Sequence, residues 1–166
     1  WHPEHELVYW VDIPNGYLYS YDPSSGKHDL VFETPPLGGF TIQEDGSLLL
    51  FMARGTIAVW RPGMKVNRDL EVVLQEIPAE RETRFNDVIA DPAGRVFCGT
   101  MPTPDRPAHL YRLDPDGTLT LLLDNVGLSN GLGFTPDHKG LYYTDTREHR
   151  IYLFDYAEAT GAITNQ

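Results

Sequence analysis

Two short polar stretches carry most of the chemistry this sequence offers: Arg84-Phe85-Asn86-Asp87 and Leu128-Ser129-Asn130-Gly131. Asn86 and Asn130 are 44 residues apart. A carboxamide oxygen is a hard, neutral donor of the kind that Ca²⁺ gathers in sets of roughly six to eight. A guanidinium such as that of Arg84 can donate to hydroxyl or carbonyl oxygens. The plainer alternative is that each asparagine makes a local turn into a strand.

The elements around these stretches are strands. Apolar or alternating runs are separated by turn dipeptides at Asn15-Gly16, Ser25-Gly26, Asp45-Gly46, Ala93-Gly94, Asp116-Gly117 and Thr160-Gly161. Helical periodicity is nearly absent, so the expected class is all-β. The runs also repeat. HELVYWVDIPNGYLYSYDPSSGK (5–27), GRVFCGTMPTPDRPAHLYRLDPDG (94–117) and KGLYYTDTREHRIYLFDYAEATGA (139–162) share one plan, and GSLLLFMARGTIAVWRPG (46–63) is a shorter version. Leu7, Leu48, Val96 and Leu141 are equivalent, giving a period of 41–48 residues. Four strands at that spacing make a β-propeller blade. In the third repeat the strands are expected near Val88–Asp91, Val96–Thr100, His109–Leu113 and Leu119–Leu123. The first repeat lacks its first strand and the fourth is expected to stop after its third, at Gln166. Residues 1–166 are thus read as a partial β-propeller domain of about three and a half blades, with both ends inside blades.

In a propeller the first strand of each blade lines the central channel. The residues that start it stand at the channel mouth: Leu37-Gly38-Gly39, Arg84 to Asp87, and Leu128 to Gly131. Asn86 and Asn130 are in phase with the repeat, so they are expected to face one axial cavity.

Composition narrows the partners. A formal net charge of −11, with no Lys/Arg cluster, argues against nucleic acid and an anionic membrane surface as partners. No apolar run nears the ~18 residues of a spanning helix. Cys98 is the single cysteine, expected as a small buried hydrophobe. The six histidines show no metal spacing and are read as surface or turn residues. Asp114-Pro115-Asp116-Gly117 opens like a calcium loop but has Asn125 at its twelfth position, so it is read as a turn. Asp12 and Asp145 end second strands and are read chiefly as turn caps.

The stretches RFNDVIADPAGRVFCGTM (84–101) and GLSNGLGFTPDHKGLYYTDT (127–146) resemble the paired motifs of the gluconolactonase, regucalcin and luciferin-regenerating-enzyme family. WHPEHELVYWVDIPNGYLYSYDPSSGK and PPLGGFTIQEDGSLLLF are similar to its first two blades. The resemblance implies a six-bladed propeller that hydrolyses a lactone, a sugar lactone first among them. It implies one divalent cation, Ca²⁺ ahead of Zn²⁺, Mg²⁺ or Mn²⁺. Asn130 matches the family's asparagine metal ligand. Asn86 matches a residue that contacts substrate and in some members the metal, and Arg84 matches one that hydrogen-bonds the substrate. The family's glutamate ligand is expected before Trp1. Its aspartate, which also serves as general base, is expected beyond Gln166, so no catalytic residue is assigned within 1–166. Val88 departs from the usual glycine after Asn-Asp. Pro104 stands where some members carry a substrate-binding glutamate, with Asp105 beside it. The rival reading is a non-catalytic propeller that binds a small molecule or a protein on the same face.

Overall fold

A computed structural model describes residues 1–165. The chain divides into two compact units, Trp1–Arg84 and the residues from Phe85 onward.

The first unit holds two antiparallel sheets. One has three strands in sequence order: β1 (Val8–Asp12), β2 (Tyr17–Tyr21) and β3 (His28–Glu33). Gly16 makes its first turn possible, with φ at +68° and a backbone oxygen of Thr34 only 2.1 Å from where a Cβ would lie. The other sheet has four strands: β4 (Leu37–Ile42), β5 (Leu48–Met52), β6 (Ile57–Trp60) and β7 (Glu71–Leu74). Every residue of β5, Leu-Leu-Leu-Phe-Met, is buried. A strand covered on both faces reads as a continuous apolar run and not as an alternation. Tyr9, Leu18, Phe32, Leu37, Leu50 and Trp60 belong to one core that joins the two sheets.

The second unit repeats the plan twice. Strands β8 (Phe85–Ala90), β9 (Val96–Thr100), β10 (Ala108–Leu113) and β11 (Leu119–Val126) form one sheet. Strands β12 (Ser129–Phe134), β13 (Gly140–Asp145), β14 (Arg150–Ala157) and β15 (Ala162–Thr164) form the other. The fourth repeat therefore does not stop after its third strand. The Thr160-Gly161 turn returns the chain, and Tyr156 pairs with Ile163 and Ala157 with Ala162. Three residues are too few to show a period, which is why the strand is not evident in the sequence.

The two sheets of this unit pack through Phe97, Leu141 and Tyr156, and through Leu110, Tyr143 and Phe154. A polar clasp joins them as well. The buried Arg95 guanidinium donates to Asp91 Oδ2 at 2.6 Å, and Tyr156 OH donates to the same oxygen at 2.7 Å. Arg95 also reaches the Glu158 carbonyl.

Cys98 is buried, as its sequence context implies. Two histidines depart from their expected surface setting. His2 is 1% exposed and bonds through Nε2 to Gly46 O at 2.8 Å. His109 is 8% exposed on β10, with Nδ1 near Tyr111 OH and an Arg106 nitrogen. In both, burial is compatible with a polar ring because its nitrogens find partners, 44 residues away for His2 and within three residues for His109. No helix among the described residues is long and apolar enough to cross a membrane.

Candidate metal- and substrate-binding site

Asn86 is the second residue of β8 and Asn130 the second of β12, and both strands form an edge of their sheets. The two edges lie side by side, and Asn86 Nδ2 donates to the carbonyl oxygen of Ser129 at 2.9 Å. The phase inferred from the sequence thus becomes a direct link between the two strand starts.

Both starts carry β-bulges. In β8, Phe85 pairs with Thr100 and Asp87 with Gly99, so Asn86 is the extra residue. In β12, Asn130 pairs with Thr144 and Leu132 with Tyr143, so Gly131 is the extra one. A bulge breaks the alternation of side chains and re-aims them, which is how a ladder can deliver a polar group to a sheet edge. Gly131 has φ +49°, and a Cβ there would lie 2.6 Å from Thr144 Oγ1. Asn130 Oδ1 accepts from Gly131 N at 3.1 Å, and its Nδ2 donates to Thr146 Oγ1 at 3.4 Å.

Beneath Asn130, Ser129 is fully buried. Its Oγ presses on Gly99, where a Cβ would sit 1.8 Å from that oxygen. Ser129 Oγ and Tyr143 OH have no hydrogen-bond partner of normal geometry among the described residues. Burial pushes the Tyr143 phenol well above its ordinary value. Asp145, 4% exposed, accepts from the backbone of Gly127, Leu128, Arg147 and Glu148. It does cap the turn after β13, as its position implied, and it also reaches back to the loop before β12. Pro104 and Asp105 line a cavity of about 670 Å³ with Arg106, Asn125, Asp145 and Arg147.

Arg84 closes the first unit, where it bridges to Ala53. It is half-buried, and desolvation draws its guanidinium below the ordinary arginine value. That starting value is so high that the group stays cationic at any physiological pH.

The carboxamides of Asn86 and Asn130 are donors of the right hardness for a divalent cation. They supply none of the charge that tight calcium sites draw from carboxylates. Among the described residues no three His, Cys, Asp or Glu side chains come together as a metal-binding group. Their carboxamide oxygens are suited to a cation in type, and these two residues do not make a site by themselves.

The family model described as SMP-30/Gluconolactonase/LRE-like region matches residues 1–166. Pentonolactonase XacC of Haloferax volcanii is 49% identical over 164 residues, which is 99% of this chain and 54% of that protein. A solved luciferin-regenerating enzyme superposes on 99% of this chain and 57% of its own, with a TM-score of 0.87 and 26% identity. Regucalcin from Agrobacterium tumefaciens, described as a calcium-binding protein, has a TM-score of 0.86 over 99% of this chain and 55% of its own. At 20% identity it bears on the fold alone. The chain spans about half the length of the relatives it matches. Its sheets are blades of an all-β propeller fold, and the chain belongs to the SMP-30/gluconolactonase/LRE-like family.

Proposed function

We propose that the protein hydrolyses a sugar lactone, with a divalent cation, Ca²⁺ first, bound where Asn130 and Asn86 present their carboxamides. The observation that carries the reading is the Asn86–Ser129 hydrogen bond, which brings the two family-matched asparagines to one junction. The match to a pentonolactonase along nearly the whole chain supports the substrate class.

Asn130 would give its side-chain oxygen to the cation, and Asn86 would serve as a second amide ligand or hold the sugar ring. Arg84 would donate to the substrate's hydroxyls or ring oxygen, its cost of partial burial offset by those acceptors. The chemistry supplied by a bound cation is polarisation of the lactone carbonyl and stabilisation of the negative charge that attack places on its oxygen. Water adds to that carbon, the ring C–O bond breaks, and the products are an open-chain hydroxy acid and, at neutral pH, one released proton. The general base is assigned, with the family's pattern, to an aspartate beyond Gln166.

The test is a pH-stat assay of proton release from pentono- and gluconolactones, beside calorimetric Ca²⁺ titration, on the full-length protein and two variants of it, since residues 1–166 alone are expected to be inactive. Asn130→Ala is expected to weaken Ca²⁺ binding and remove most turnover. Arg84→Ala is expected to raise KM or lower kcat while Ca²⁺ affinity stays at the wild-type value. Equal loss of Ca²⁺ affinity in both variants contradicts the assignment. Tight Ca²⁺ binding with no lactone turnover favours the non-catalytic binder.

A further inference from the structure

We infer that Asp145 is a positioning residue whose carboxylate fixes the backbone that carries Asn130, and with it the placement of the cation ligand. The inference rests on the role proposed above for Asn130.

Asp145 ends β13 with its side chain 4% exposed. A buried carboxylate is costly unless its oxygens are satisfied. Here they are satisfied by backbone N–H groups from two separate segments. Arg147 N, at 3.1 Å, and Glu148 N, at 3.3 Å, belong to the following turn, and a local cap explains them. Gly127 N on Oδ2 at 2.7 Å and Leu128 N on Oδ1 at 3.0 Å lie 18 and 17 residues earlier, in the loop that enters β12. A turn cap does not require these two, and they are the shorter pair. Charge-assisted bonds of this length are roughly twice as strong as neutral ones.

The loop is built to let the carboxylate in. A Cβ at Gly127 would lie 2.7 Å from Asp145 Oδ1 and 2.8 Å from Arg147 Cβ. Past the anchored residues the chain is held at each step. Leu128 O accepts from Thr146 N at 3.0 Å, Ser129 pairs in register with Asp145, and Asn130 Nδ2 donates to Thr146 Oγ1. Ser129 O is also the acceptor for Asn86. Both asparagines are therefore referenced to one buried charge.

The same protein supplies a control. Asp12 ends β1, and its side chain accepts from Asn15 N at 3.4 Å and Asn15 Nδ2 at 2.9 Å, both local and exposed. It caps a turn and touches no loop that carries a proposed ligand.

The experiment compares Asp145→Asn, Gly127→Ala and Asp12→Asn with the wild type. It reads Ca²⁺ affinity by calorimetry, the Asn130 side-chain carboxamide resonances by NMR, and the melting temperature. Asp145→Asn sets an NH₂ group or a weaker acceptor against backbone N–H donors. It is expected to move the Asn130 resonances and to weaken Ca²⁺ binding about tenfold or more, the usual scale for groups that orient ligands. Asp12→Asn is expected to leave both at wild-type values whatever it does to melting. Gly127→Ala keeps the carboxylate but blocks its approach, and decides the matter if Asp145→Asn does not fold. Unmoved Asn130 resonances in whichever of these two variants folds overturn the inference. If the wild type binds no Ca²⁺, the proposed function fails, and the Asn130 resonances still decide the positioning role.

Discussion

Asn86 and Ser129 are joined by a side-chain hydrogen bond, Nδ2 to backbone oxygen at 2.9 Å, that spans two sheets. It is part-buried and 43 residues long in sequence. Its donor is the extra residue of a bulge, so the ladder does not fix the orientation of Asn86 and this bond helps to do so. Asn86→Ala is expected to cost about 1 kcal/mol, the net worth of one such bond. Asn86→Asp is expected to cost more, because it turns the donor into an acceptor facing a carbonyl oxygen. Urea unfolding checks both. Equal stabilities for the two variants would show that the bond adds nothing.

Gly99 is required by Ser129, not by backbone conformation. A Cβ at 99 would meet Ser129 Oγ at 1.8 Å and Ser129 Cβ at 2.4 Å, and neither can retreat because Ser129 is fully buried. Gly99→Ala is expected to destabilise by about 1–3 kcal/mol, the usual range for overpacking. A double-mutant cycle sharpens the test. Ser129→Ala removes only the oxygen and is expected to rescue partly, whereas Ser129→Gly is expected to rescue further. Rescue of the same size by both would place the clash elsewhere.

What the sequence reveals and what it hides divide along the range of the interactions. Apolar runs bounded by Gly turns encode strands locally, and β5, β9 and the glycines at 16, 26, 46, 94, 117 and 161, all with positive φ, follow that reading. The common phase of Asn86 and Asn130 is equally local, since each needs only its place in one repeat. The burial of His2 depends on Gly46, the need for Gly99 on Ser129, and the reach of Asp145 on Gly127. Each of these partners is fixed by tertiary register, which periodicity does not encode. Two glycines flanking Asn130, at 127 and 131, were the local trace of a crowded strand start. Their meaning emerges only once Asp145 and Thr144 are seen against them.

The clasp of Asp91, Arg95 and Tyr156 predicts a loss of stability at alkaline pH. Burial and the Asp91 carboxylate raise the Tyr156 phenol from its ordinary 10.0 to about 12. The folded state therefore holds this proton more tightly than the unfolded chain. Its contribution is fully present below about pH 10 and is lost as pH rises through about 12. Tyr156→Phe is expected to flatten the fall in unfolding free energy between pH 9 and 12, relative to wild type. Removing the carboxylate leaves the buried Arg95 charge without a counter-ion, though still bonded to the Glu158 carbonyl, so Asp91→Ala is expected to cost about 3–5 kcal/mol at pH 7. An unaltered alkaline slope in Tyr156→Phe would mean that another tyrosine carries it.

The opposite end of the pH scale is governed in part by His5, which stacks on His2. Their rings stack at 3.6 Å with an interplanar angle of 3°. His2 Nε2 is committed to Gly46 O, and His5 Nδ1 lies 3.0 Å from Tyr9 OH. Desolvation first, and then the neighbouring His2, lower the His5 pKa from 6.5, while Glu4 opposes them. A histidine whose folded pKa is depressed binds its proton more readily in the unfolded chain. The stabilisation from keeping it neutral is therefore present above pH 6.5 and declines as pH falls below that value toward the folded pKa. His5→Gln keeps a polar side chain of similar reach without a titrating ring. It is expected to reduce the acid dependence of stability between pH 7 and 5 and to leave the alkaline limb unchanged. Denaturant unfolding at half-unit pH intervals reads the difference, and NMR titration of the His5 ring gives the folded pKa directly. A His5 pKa equal to 6.5 would abolish the effect and one above 6.5 would reverse its sign, and either removes the stacked pair as the cause of acid sensitivity.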